Sequence, residues 1–184
     1  MVPITRLTLL LVFMLAAMQT SCVSYHVAPK TENFDNIHDL QQLEGVYQNR
    51  GQSNGQAFYL SAILWRDLDT ADNNAIEEIE VRSVGNKRLL VTARSGKSVI
   101  REKIFEEEID FKIVDGRIRI QQKIGMANEG FAGPTYKSAE LGLDSSGNGK
   151  YNSTFAFTGL AFLIPVAAYE NEEVRFVKIR NSAK

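Results

Sequence analysis

The chain has 184 residues, 44% hydrophobic and 23% charged, with 21 Lys+Arg against 22 Asp+Glu and a formal net charge of −1. The length predicts one domain with a core of its own. The balanced charge, with no basic block, argues against nucleic acid as a partner, and one cysteine excludes an internal disulfide, so stability has to come from apolar burial.

Arg6 is the only charge ahead of Lys30, and the run after it, LTLLLVFMLAAM over residues 7–18, is apolar throughout. A positive start followed by an apolar stretch of this length predicts a secretory signal over residues 1–21. The run is short of the roughly 20 apolar residues a spanning helix needs. Gln19, Thr20 and Ser21 follow, then Cys22. Two cleavage readings compete. An ordinary signal peptidase wants small residues at the third and first positions before the cut, and a cut after Met18 or Gln19 leaves a bulky side chain beside the bond. The other reading is a lipobox. Ser21-Cys22 resembles the end of a bacterial lipoprotein signal, a small residue before an invariant cysteine, and departs from that family at Gln19, where leucine is usual.

The resemblance implies that the Cys22 sulfur takes a diacylglyceryl group, that the leader is cut just before it, and that the new amine is acylated with a palmitate-type chain. Two or more chains hold a protein on a membrane stably, at about 0.8 kcal/mol per buried methylene. Acylation also removes a lone thiol from an oxidising compartment. In that family an aspartate after the cysteine favours the inner membrane; Val23 stands there here, which implies the outer membrane, facing the periplasm. Residues 22–35, mixed in character and carrying Pro29, read as a lipidated tether ahead of a single β-barrel-like domain over 36–184.

Within the domain, Asp35 or Asn36 is placed to cap a short helix with Ile37, Leu40 and Leu43 on one face. From Leu43 the dominant period is two: Gly45 and Tyr47, Ile79 and Val81, and Leu89, Val91 and Ala93 alternate with polar neighbours. That is the signature of strands with one dry face. AFYLSAILWR, residues 57–66, breaks the pattern: Phe58, Ala62 and Trp65 share helical spacing, predicting a short helix that caps one end of the sheet. IDFKIVDGRIRIQQKI predicts a hairpin turning at Asp115-Gly116, with Ile109, Phe111 and Ile113 on one face and Ile118, Ile120 and Ile124 returning beside them. A second hairpin turns at DSSGNG between Leu143 and Tyr151. The loop IGMANEGFAGPTY, with Gly125, Gly130 and Gly133, is read equally as a lid and as an ordinary connection. In GLAFLIPVAAY, Pro165 cannot donate to a ladder, which predicts a buried strand with a bend; exposed, the same run would be an interaction or membrane-resting patch. EVRFVKIR reads as a final strand covered on both faces.

About eight to ten strands joined by short turns predict an all-β antiparallel up-and-down barrel or closed sandwich. Gly45-Val46-Tyr47 resembles the Gly-x-Trp start of the lipocalin-like (calycin) barrels, with tyrosine in place of tryptophan. The resemblance implies an arginine near the last strand, Arg175 or Arg180, packed over the Tyr47 ring, in a role that closes a barrel end rather than binding ligand.

Catalytic motifs are missing from the sequence. It contains no H-E-x-x-H and no G-x-S-x-G, and its two histidines, His26 and His38, lie near the amino end. Ser95-Gly96-Lys97-Ser98 reads as a turn, since Val91 stands where a phosphate-binding loop needs glycine. Asp67, Asp69 and Asp72 read as a solvated loop rather than a calcium site, with Ala71 at the third ligand position. Adjacent Glu106, Glu107 and Glu108 point to alternate faces, unlike a glycosidase pair. The expectation is a non-enzyme with no cofactor, no metal ligands, no nameable ligand-binding residues and Cys22 as the lipidation site. Its expected role is to hold a small apolar ligand or envelope component. The alternative is an interaction module (scaffold, stress sensor or enzyme inhibitor) docking through an exposed apolar surface.

Overall fold

The computed structural model describes residues 34–53, 57–65, 67–126, 131–161 and 164–182. They form an all-β arrangement of antiparallel sheets, as the period-two alternation requires. One sheet has the order β13-β1-β4-β5-β6, from β1 (Gly45–Gln48), β4 (Glu78–Ser83), β5 (Arg88–Ser95), β6 (Ser98–Glu106) and β13 (Lys178–Arg180). The other runs β12-β11-β10-β8-β7, from β7 (Phe111–Val114), β8 (Arg117–Met126), β10 (Pro134–Leu143), β11 (Gly149–Ala161) and β12 (Ile164–Phe176), with β9 (Phe131–Ala132) paired to β11. A short ribbon joins β2 (Arg50–Gly51) to β3 (Phe58–Tyr59).

The turns fall where the sequence puts positive φ. Asp115 and Gly116 adopt φ of 53° and 70° and set the register Val114↔Arg117. Gly96, at φ 56°, turns β5 into β6, and 144–148 turns β10 into β11. Ile109 departs from expectation: it lies outside the β7 strand and is 65% exposed. Asp110 N–H donates to the Glu106 carbonyl at 2.8 Å and Glu108 takes φ 72°, so the chain curls through 107–110 and the strand begins only at Phe111. The run 159–169 is also not one buried strand. Leu160 pairs with Pro165 and Ala161 with Ile164, so Pro165 sits near the end of a hairpin, on a strand at the sheet edge where a missing donor is tolerated. Ala167, Ala168 and Tyr169 are exposed. The loop predicted over 124–136 is mostly strand, with 127–130 outside the described residues.

The two sheets are joined where β12 of one runs through Val177 into β13 of the other. The backbone of Gln52 exchanges hydrogen bonds with Arg175 on β12 (2.7 and 3.1 Å), and Gln48 N–H donates to Val177 at 2.9 Å. Past Val177 the chain becomes β13 and pairs with β1. At the opposite side β6 and β7 are both edge strands, and the curl at 107–110 starts β7 away from β6. Among the described residues the ladders therefore form two sheets and not a closed ring. The last strand is dry on one side: Val174 and Phe176 are fully buried, while Ile179 is 43% exposed.

Three short helical pieces stand among the described residues. A 3-10 turn, Leu40–Leu43, is capped by Asp39 in a reciprocal capping box with Gln42 and buries Ile37, Leu40 and Leu43. The predicted helix over 57–66 is narrower, α1 (Leu60–Leu64), because Phe58 and Tyr59 are used by β3. A second, α2 (Thr70–Ala75), is capped by Asp69. Both α-helices are tied to the end of β1 by Asn49, which is fully buried. Its side-chain amide donates to the carbonyls of Asn73 and Ile76 (both 2.9 Å), and its oxygen accepts from Ser61 N–H at 2.8 Å. Ser61 Oγ in turn bonds Asn73 Oδ1 at 2.5 Å. Asn49→Ala removes three bonds and strands the groups they satisfied, so urea denaturation should show a loss of about 3 kcal/mol; a loss under about 1 kcal/mol would mean that α1 and α2 hold their places without it.

Candidate functional site

Between the sheets lies a cavity of about 450 Å³. Its walls come from the inward-facing alternation of both sheets: Tyr47, Leu89 and Val91 on one side, Phe111, Ile118 and Phe176 on the other. Leu60, Ile63, Leu64 and Trp65 cover it from α1 and the residue that ends it. The stripe over the hole is not the Phe58, Ala62 and Trp65 grouping that the spacing predicts: Phe58 belongs to β3 and Ala62 is exposed, and only Trp65 of the three lines the cavity. Trp65, the only tryptophan in the chain, is 3% exposed and meets Phe105 edge-on, ring centroids 6.3 Å apart. Its Nε1 is buried without a hydrogen-bond partner in the protein, an uncommon cost for a native structure.

The mouth is charged, and sequence reasoning missed it. Arg101, Lys103 and Phe105 alternate on β6 opposite Ala93, Val91 and Leu89, all three buried. Two cations therefore occupy the dry face of a sheet, where apolar side chains are the rule. A strand that places Ile100 and Ile104 outward, 45% and 44% exposed, and Arg101 and Lys103 inward has its pattern inverted. That inversion was readable in SVIREKIFE only by someone who knew which face was dry. Arg101 bonds Asp67 at 2.6 Å; Lys103 bonds Asp110 at 2.7 Å and lies 4.4 Å over the Phe105 ring.

The bond from Arg101 holds the Asp67 carboxyl below the usual aspartate value. For Asp110 burial pushes upward, but the bonds from Lys103 and the Glu106 N–H outweigh it and the net shift is downward. Burial pushes the Tyr47 phenol, which donates to the Leu43 carbonyl at 2.8 Å, far upward, so it stays neutral.

The other sequence candidates disperse. Cys22 and His26 lie outside the described residues. Asp67, Asp69 and Asp72 do not converge, since Asp69 caps α2 and Asp67 faces Arg101. Ser95–Ser98 is the β5–β6 turn. The cation over the Tyr47 ring is neither expected arginine: Arg175 pairs with Asp144 and Arg180 with Glu78. Lys178 takes that place, its Nζ 5.9 Å from the ring, because its stem crosses bare Gly45, where a Cβ would come within 2.3 Å of Lys178 Cε. No family model, curated protein or solved structure matches the chain.

Carboxyls with folded values below their ordinary ones stabilise the fold above those ordinary values and lose that contribution as pH falls through the lowered ones. Asp67, Asp110 and Glu78 all lie on this side. Glu172, raised by burial and by Glu170, acts in the opposite sense near its ordinary 4.5. Thermal stability should therefore fall as pH drops below about 3.8, the ordinary aspartate value, and the acid limb should be shallower in Asp110→Asn. An unchanged limb in that variant would mean that Lys103–Asp110 contributes nothing.

Proposed function

We propose that this chain is a lipid-anchored protein of the bacterial envelope that holds a small apolar ligand between its two sheets, without catalysing a reaction on it. The cavity carries this reading. About 450 Å³ falls within the size range of small-molecule sites, roughly 300–1,000 Å³, and the walls are apolar. An open, lipocalin-like barrel is the architecture proposed for it. Support comes from the strictly sequential antiparallel order of the main strands, from the passage of β12 into β13, and from Gly45-x-Tyr47 under a cation of the last strand. The anchor rests on Ser21-Cys22 and Val23, which favour the outer membrane with the domain in the periplasm. One observation favours a second reading, docking on an envelope protein: Ala167, Ala168 and Tyr169 are exposed in a row near the end of the β11–β12 hairpin.

The chain carrying Cys22→Ser should leave the membrane fraction; a variant that still sediments with outer membrane after leader removal rules out lipidation as the anchor. In the released protein, an uncharged apolar probe should quench or shift Trp65 emission saturably. Val91→Phe, which fills the cavity wall, should weaken that binding by about tenfold with the fold intact by circular dichroism. Unsaturable emission, or equal binding in Val91→Phe, would sink the ligand reading and leave the docking one.

A further inference from the structure

We infer that the ligand is an amphiphile with an anionic head, its apolar chain in the cavity and its head on Arg101 and Lys103; this rests on the ligand reading above and names the ligand's class. The inference starts from where the two cations are. Arg101 and Lys103 line the cavity on the inner face of β6, in register with buried Ala93 and Val91. They also stand at its open side, since their side chains are 36% and 43% exposed. A pure apolar store would gain nothing from charge on that face.

Hydrogen-bonding capacity decides the sign of the head. A guanidinium has five N–H donors and an ammonium three. Arg101 gives one to Asp67 and Lys103 gives one to Asp110. Each carboxylate has about four acceptor sites, but both acids also accept from backbone N–H groups, Asp110 from Glu106 and Asp67 from its own, so fewer acceptors than donors are left. Asp110 has both oxygens engaged, Oδ1 by Lys103 and Oδ2 by the Glu106 N–H at 3.0 Å. Asp67 is 66% exposed and stands on the turn beyond Trp65, so it can release Arg101 and remain solvated. The mouth therefore presents surplus donors and one displaceable acceptor, which suits a carboxylate or a phosphate and not an ammonium. Beside these charges Ile109 is 65% exposed, an apolar rim for the part of the chain nearest the head.

Trp65 supplies the readout. The Cys22→Ser chain would be titrated with a long-chain carboxylate, an alkyl phosphate, the methyl ester of the same carboxylate and the matching alkylamine. Both anions should bind at least about tenfold more tightly than the ester and the amine. The tighter of the two identifies the head as carboxylate or phosphate. Arg101→Gln and Lys103→Gln should each weaken the anions by about tenfold and leave the ester unchanged. Asp67→Asn, which removes the competing acceptor, should tighten the anions several-fold, a gain that a merely structural role does not give. Equal binding of all four, or preference for the amine, overturns the anionic head and leaves the apolar-ligand reading standing. Failure of all four to move Trp65 emission overturns both.

Discussion

Asn49 is the residue on which the site depends. It follows the outer end of β1 and every one of its polar groups has a partner: two carbonyls of the α2 region, the first turn of α1, and its own backbone groups to Glu77 and Leu60. A buried amide is stabilising only when fully paired. Here full pairing fixes the positions of two helices too short to hold themselves in water. Without that network, the Leu60–Trp65 stripe has no fixed relation to the sheets and the space between them has no roof.

A second constraint acts on the sheets. Strand β12, paired with β11, passes at Val177 into β13, paired with β1, and this continuity holds the sheets together along one side. On the other side β6 and β7 stay unpaired, because the 107–110 curl turns the chain before a ladder can form. The gap this leaves is where Arg101, Lys103, Ile109 and Asp110 meet. The opening and its charged rim thus lie beside one local feature, a turn closed by Asp110 onto Glu106.

Much of the framework was legible in the sequence. The alternation of Leu89, Val91 and Ala93 marks a dry strand face, and all three are buried; Asp115-Gly116 has the residues a two-residue hairpin turn demands, and forms one. These are local effects of side-chain alternation and of φ. The exposure of Ile109 and Ile179 does not follow from alternation, which says which residues share a face, not whether the strand still exists there or whether anything covers it. The expected arginine over Tyr47 turned out to be Lys178, since ion pairs with Asp144 and Glu78 had already engaged Arg175 and Arg180.

The sequence by itself determined the all-β antiparallel class, the turns at 95–98, 115–116 and 144–148 and the absence of disulfide support, because each follows from residue chemistry within a few positions. Only the tertiary structure decided that the sheets stand apart around a cavity, that α1 roofs it, and that Arg101 and Lys103 face inward. Those outcomes depend on contacts between residues far apart in the chain, such as Asn49 with Asn73 and Arg101 with Asp67. No period or motif along a single strand encodes which of its two faces meets a neighbour.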